Sequence, residues 1–354
     1  MRPSRAVAGA LASAAGLAAA GAAVGVAHQR RSATRRPDDQ VPFGSLRSAP
    51  LTVIADDGVP LHVEVDEPHE APESPVTVVL VHGYALTLDC WHFQRAALRG
   101  RVRTVLYDQR SHGRSGRSSL ENATIEQLGE DLRRVLEEVV PEGPVLLVGH
   151  SMGGMSVIAF AEQHPHLFGE RVVAVGLIST TAGGLDIGRL LLPVVPAKLG
   201  LPLARRTVAA LARRHRVVDG VRRVGRSVAL AATDVFAFGD PVPHSYVDFV
   251  DSMLSATPFE VLAEFFPSFG ALDKFHAVDV LSDVPTLIAC GTADRLTSIG
   301  HSRKLHERIR DSRLVEYAGA GHMVVLERHE QINAELDRLL TAAAGELPRR
   351  TGTR

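Results

Sequence analysis

Hydrophobic and polar positions alternate with a period of two in two short stretches near residue 50, and from residue 76 onward solid apolar runs take turns with amphipathic ones. Leu51-Thr52-Val53-Ile54-Ala55 and Leu61-His62-Val63-Glu64-Val65 flank Asp56-Asp57-Gly58-Val59-Pro60, a turn-forming stretch, and predict a hairpin of two strands. Val76-Thr77-Val78-Val79-Leu80-Val81 is too apolar to alternate and predicts a strand covered on both faces. Further strands are predicted over residues 104–108, 144–149, 172–178, 285–291 and 313–317, and residues 124–140 have helical periodicity with charges on one face. Buried strands alternating with amphipathic helices define an α/β domain: a mostly parallel, eight-stranded sheet with helices on both faces.

The alternation stops between about Gly183 and Val284, where roughly a hundred mostly helical residues separate two strands expected to be neighbours. An insertion of that length predicts a helical cap over the site. The expected organisation is a hydrophobic segment and basic linker over residues 1–40, a first part of the core over 41–182, the cap over 183–284, a second part of the core over 285–345, and a tail over 346–354.

Composition narrows the function classes. With 354 residues, 45% of them hydrophobic, and a formal net charge of -1, the chain can bury a large core. The near-neutral balance and an aromatic content of 5% argue against a nucleic-acid binder, which needs a basic surface and stacking side chains. Cys90 and Cys290 lie in separate segments and form neither a disulfide framework nor a zinc site, so they are expected to be small buried hydrophobes.

The N-terminus differs in character. Arg2 and Arg5 precede an uncharged Ala/Gly/Val/Leu run over residues 6–27, and Arg30, Arg31, Arg35 and Arg36 follow it. Twenty-two residues can just cross a hydrocarbon core of roughly 30 Å, which makes the run an uncleaved membrane anchor; the rival is a secretory signal with Gly25 and Ala27 at its cleavage site. The arginines on its two sides leave the orientation undetermined. The first half of the cap is also basic: Arg189, Lys198, Arg205, Arg206, Arg213, Arg214, Arg216, Arg222, Arg223 and Arg226 are opposed only by Asp186 and Asp219. This is either a solvated face or a surface for anionic lipid or substrate.

The chemistry concentrates at Gly149-His150-Ser151-Met152-Gly153, a Gly-x-Ser-x-Gly between an apolar strand and a helix. A nucleophilic serine needs a tight turn that lifts its hydroxyl out of the sheet, and the glycines remove side chains that would collide there. The segment through Gly154 resembles the nucleophile elbow of the α/β-hydrolase superfamily, in particular its monoacylglycerol-lipase-like and esterase members. The resemblance runs from about Leu51 to Leu340, apart from the sequence detail of the cap. Serine needs a base and the base an orienting group. Of the 16 histidines, His322 follows the last strand in Gly319-Ala320-Gly321-His322, at the carboxyl edge of the sheet, where the superfamily places its histidine. Asp294 follows the strand ending at Cys290, and the order Ser151, Asp294, His322 is that of α/β-hydrolases. Asp279 and Asp283 lie at the opposite end of their strand, and His306 and His329 are expected at the surface. The family's proline after the Leu-Glu pair is absent from Leu326-Glu327-Arg328-His329.

Two backbone N–H groups are expected to hold the oxyanion: that of Met152, after the nucleophile, and that of Tyr84, because His82-Gly83-Tyr84 resembles the family's His-Gly-x loop. His82 then braces the loop, and residues 108–115 are similar to a scaffold loop of the family. A serine at the elbow disfavours the epoxide hydrolases and haloalkane dehalogenases of this fold, which use aspartate. The resemblance implies a cofactor-free serine hydrolase acting on a small-molecule acyl ester, and the apolar cap segments Leu190 to Val195 and Phe259 to Phe269, with Phe265 and Phe266, predict an acyl pocket for a medium or long acyl ester or a monoglyceride. An acyltransferase or thioesterase with the same triad is the alternative among enzymes. A membrane-tethered binding module without activity is the alternative outside them, and the intact Ser, His and Asp argue against it.

Overall fold

The computed structural model describes residues 41–185 and 226–346. Eight strands form one sheet: β1 (Pro50–Ile54), β2 (Pro60–Asp66), β3 (Thr77–Val81), β4 (Thr104–Tyr107), β5 (Val145–His150), β6 (Val172–Ile178), β7 (Thr286–Gly291) and β8 (Arg313–Tyr317). Their spatial order is β1-β2-β4-β3-β5-β6-β7-β8. β2 pairs antiparallel with β1 and β4, and every other pairing is parallel. The mostly parallel, eight-stranded sheet expected from the alternation is the one observed, in keeping with the fold that the resemblance implies.

Burial explains why the central strands read as unbroken apolar runs. In β3, Val78 and Leu80 enter one core cluster, while Val79 and Val81 enter the cluster on the other face. Leu146 and Val148 of β5 side with the former pair, and Val145 and Leu147 with the latter. Burying one such side chain contributes about 1.5–3 kcal/mol, so a polar residue in these runs is costly on either face.

Nine α-helical segments lie among the described residues: α1 (His92–Leu98), α2 (Ile125–Val139), α3 (Met152–Gln163), α4 (Arg226–Ala237), α5 (His244–Ala256), α6 (Phe259–Ala271), α7 (Ile299–Arg308), α8 (Val324–Glu327) and α9 (His329–Glu346). Thr124 starts α2, its side chain accepting from the Gln127 N–H at 3.2 Å; along its buried stripe Leu132, Val135 and Val139 join the core against the sheet, and Ile125 and Leu128 pack with Met152 and Met155. Helices α4 to α6 occupy the chain between β6 and β7. From α6, Val261, Phe265 and Phe269 pack on Met152 and Met155 of α3, so this helix lies against the start of the elbow helix. The hydrophobic N-terminal run and most of the basic cap half, Arg189 to Arg223, lie outside the described residues; Arg226 opens α4. No helix among the described residues is long and apolar enough to cross a membrane.

One expectation is corrected. His329 is buried and stacks on Phe93, with ring centroids 3.8 Å apart and 13° between planes, because the start of α9 packs against α1. His306 is exposed, as expected, with Nδ1 2.8 Å from the Ser312 hydroxyl.

Candidate active site

Ser151 stands between the end of β5 and the first residue of α3 with φ 53° and ψ -118°. For a residue with a Cβ this conformation costs about 1–3 kcal/mol and persists only where its surroundings enforce it. The main chain of Ser151 is held on both sides. Its N–H donates to the Ile178 carbonyl at 2.9 Å, and its carbonyl accepts from the Gly154 N–H at 3.0 Å and the Thr180 hydroxyl at 2.6 Å. The glycines are required by contact: a Cβ on Gly149 would lie 2.4 Å from the Gly153 oxygen, and one on Gly153 would lie 2.0 Å from the Val81 oxygen.

The loops after β7 and β8 bring Asp294 and His322 to this serine. His322 Nε2 is 2.9 Å from Ser151 Oγ, and Nδ1 is 2.9 Å from Asp294 Oδ2. The carboxylate accepts, so Nδ1 carries the proton, and Nε2 is left to accept from the serine hydroxyl. Asp294 is buried, and its Oδ1 accepts from the N–H groups of Leu296 at 2.8 Å and Thr297 at 2.9 Å. Burial alone raises its pKa, but the His322 ring and these hydrogen bonds outweigh it and hold the carboxyl below the usual range. The Thr297 hydroxyl stands 2.9 Å from Asp294 Oδ2 and 2.7 Å from the Ser179 carbonyl, fixing the carboxylate from a third side. Beneath it, the Cys290 thiol is pushed up to about 12 by burial and by Asp294, so this cysteine is an inert filler. A serine hydroxyl bonded to a neutral imidazole, itself held by a carboxylate, can lose its proton as it attacks an electrophilic carbon.

The loop after β3 lies against the elbow. A Cβ on Gly83 would come within 3.1 Å of Ser151 Cβ, and Ala85 adopts the left-handed φ of 59° that turns the chain past Tyr84. The Tyr84 hydroxyl donates to the Leu262 carbonyl in α6, and its ring meets Phe269 edge-on at 4.9 Å. Met152 is the first residue of α3, and N–H groups of a first turn have no partner inside their own helix. His82 braces this region from within. Its Nε2 accepts from the Gln109 N–H at 2.8 Å, and its Nδ1 donates to the Gly83 carbonyl at 2.7 Å. Burial lowers its pKa to about 4, which keeps the ring neutral and able to accept. Gln109 completes the brace, donating to the His82 carbonyl at 2.6 Å and accepting from Ser156 of α3 at 2.8 Å.

The scaffold segment after β4 turns on Asp108, which accepts from the N–H groups of Leu88 at 2.8 Å and Arg114 at 2.9 Å. Gln109, Thr297 and His150 escape a reading of the sequence, because their roles consist of single contacts with residues distant in the chain. Among the described residues no cluster of His, Cys, Asp and Glu could hold a metal ion.

Residues 76–329 match the family described as alpha/beta hydrolase fold, and the chain belongs to that family. It is 25% identical to the monoacylglycerol lipase of Mycolicibacterium smegmatis over 78% of this chain and 90% of that protein. It is also 25% identical to the dihydrolipoyllysine-residue acetyltransferase component of the acetoin cleaving system of Pseudomonas putida, over 75% of this chain and 63% of that one. The chain spans between 35% and 63% of the length of three of its curated relatives. Among solved structures, an esterase from Exiguobacterium antarcticum superposes with a TM-score of 0.65 at 19% identity, covering 83% of this chain and all (100%) of that one, a likeness of fold.

Proposed function

We propose that the protein hydrolyses carboxylic esters through an acyl-enzyme formed on Ser151. The observation that carries this reading is the pair of 2.9 Å contacts joining Ser151, His322 and Asp294 at a strained strand-to-helix turn. Ser151 Oγ attacks the ester carbonyl while His322 Nε2 takes its proton. The N–H groups of Met152 and Tyr84 receive the oxyanion, and the alcohol leaves with the proton from His322. Water, deprotonated by His322, then attacks the acyl-enzyme and frees the acid, and Asp294 stabilises the imidazolium in both halves.

The substrate proposed is an ester of a medium or long acyl chain, including a monoglyceride. Support comes from the apolar cluster of Met152, Met155, Val261, Phe265 and Phe269 beside the elbow, and from the names of the lipase and esterase relatives. Residues 183–284 act as the cap over this site. We further propose that the run over residues 6–27 anchors the chain in a membrane and that the charges of the basic first half of the cap help the enzyme approach anionic lipid. A panel of p-nitrophenyl esters of increasing chain length and a monoglyceride tests the reading. Turnover is expected to peak beyond the shortest acyl chains, and Ser151→Ala is expected to lose both hydrolysis and fluorophosphonate labelling. Near-parental turnover by Ser151→Ala overturns the assignment. Membrane fractionation of the full chain beside a form starting at Val41 tests the anchor: the shorter form should be soluble and active, and equal partition of both removes that role.

A further inference from the structure

The segment after α4 is fastened to the loop that carries His322. The Met323 N–H donates to the Ala237 carbonyl at 2.8 Å. Two glycine backbones then pass in contact: a Cβ on Gly239 would lie 2.1 Å from the Gly319 oxygen, and a Cβ on Gly321 would lie 2.4 Å from the Gly239 nitrogen. At this crossing sits the buried carboxylate of Glu327, 1% exposed. Its Oε1 accepts from the Gly239 N–H and from the Gly321 N–H, both at 2.8 Å, while Oε2 takes a longer bond of 3.4 Å from the Asp240 N–H. Arg328 reinforces the same seam by pairing with Asp240 and donating to the Ala318 carbonyl at 3.0 Å. Arg295, next to Asp294, donates to the Val235 carbonyl of α4 at 3.1 Å.

We propose that Glu327 is a positioning residue for His322, one carboxylate oxygen fixing the residue before the histidine to the segment that ends α4, so that the imidazole is aligned only when that segment is seated. This rests on the reading that Ser151 and His322 perform the chemistry. Gly321 has no side chain with which to anchor itself, and a glycine beside the histidine leaves the loop free to swing unless its amide is held. A single acceptor that takes N–H groups from two chain segments supplies that hold. Arg328, the cation beside the carboxylate, stands 3.9 Å away and is engaged with Asp240, so the acid is satisfied by main-chain donors. Burial pushes the Glu327 carboxyl up, against the pull of those donors.

Three substitutions separate geometry from charge. Glu327→Gln keeps an oxygen able to accept both N–H groups, Glu327→Asp keeps the charge but withdraws the reach, and Glu327→Leu keeps bulk and removes the acceptor. The readouts are kcat and KM on a short soluble p-nitrophenyl ester, with folding at the assay temperature followed by circular dichroism. Glu327→Gln is expected within about threefold of the parent, and Glu327→Leu about 100-fold lower in kcat with KM nearly unchanged, the scale of an ångström-sized misplacement. Should the leucine variant not fold, the comparison of Asp with Gln decides, with Asp expected to be the slower. Parental kcat in a folded Leu variant, a change in KM alone, or an Asp variant as fast as Gln overturns the proposal. Ser151→Ala runs alongside: activity in that variant removes the proposed function itself, whereas its silence beside parental Glu327 variants removes only this inference.

Discussion

His150 donates from Nε2 to the carbonyl oxygen of His322 across 3.0 Å, so the residue before Ser151 holds the main chain of the histidine facing that serine, 172 residues later. The His150 ring is buried, lies edge-on to Trp91, and has its pKa lowered to about 3 by burial and by the neighbouring His322, so it stays a neutral donor. His150→Phe keeps the ring volume and removes this bond. Its kcat is expected to fall about tenfold, from a lost contribution of about 1.5 kcal/mol, with KM little changed. Unaltered kcat in the folded variant means that the contact does not serve catalysis.

Replacing Asp294 by Asn leaves the shape of the site but offers an amide where His322 Nδ1 needs an acceptor. With the wrong tautomer favoured, kcat should drop by about four orders of magnitude, and Ser151→Ala and His322→Ala by about six. Pre-steady-state release of p-nitrophenol measures all three. An Asn variant within tenfold of the parent contradicts the assigned role of Asp294.

Gly153→Ala introduces a Cβ 2.0 Å from the Val81 oxygen, a backbone atom that cannot yield without moving β3. A stability loss of about 3 kcal/mol or more is expected. Gly143→Ala makes the control, because its Cβ would meet nothing within 4 Å and only the φ of 87° is unfavourable. That change should cost about 1 kcal/mol. Urea denaturation of both variants checks the order, and equal midpoints count against the close packing of the elbow.

Acid sensitivity follows from three buried neutral histidines. Folding lowers His82 to about 4, and His112 and His150 to about 3, from an unfolded value of 6.5, mainly through burial. Between these values the unfolded chain binds more protons than the folded one, so stability rises with pH there. The stability they contribute is complete above pH 6.5 and is lost as the pH falls toward 3, by up to about 1.4 kcal/mol per pH unit for each histidine. His112→Asn should flatten the dependence of the urea midpoint on pH between 6 and 4. An identical slope in the variant shows that His112 is not one of the groups responsible.

The sequence made the sheet legible wherever one physical requirement governed a whole run. β3 and β5 are covered on both faces and therefore solidly apolar, and the elbow needs glycine at fixed offsets, so both announce themselves locally. Asp294 and His322 were reachable because they directly follow strands. What stayed hidden depends on pairing across the chain. Arg110 is fully buried, yet charge alone places arginine at the surface; its guanidinium is matched by Asp131 at 2.6 Å and Asp57 at 2.7 Å. Helix α1 is seven residues long, too short for periodicity to stand out, and its Arg95 is buried against Glu64 and Asp66 of β2. Glu327 reads as an ordinary helix-start carboxylate until Gly239 and Gly321 converge on it. His329 looked like a surface residue because nothing nearby in sequence reveals Phe93 as its stacking partner.

The parallel pairing of β6 with β7, Val175 opposite Thr286 and Ile178 opposite Ala289, closes a loop of about a hundred residues. The entropy of closing a flexible loop grows only with the logarithm of its length, so halving or doubling that insertion changes the closure term by about 0.6 kcal/mol. The core is therefore nearly indifferent to how much chain is inserted there, and the length of the insertion is free to vary without unsettling the sheet. The same geometry sets an order of assembly during synthesis. Ser151 emerges from the ribosome well before Asp294 and His322, and its hydroxyl meets the imidazole only after the last strands have docked, so a nascent or truncated chain carries a complete elbow with no histidine beside it.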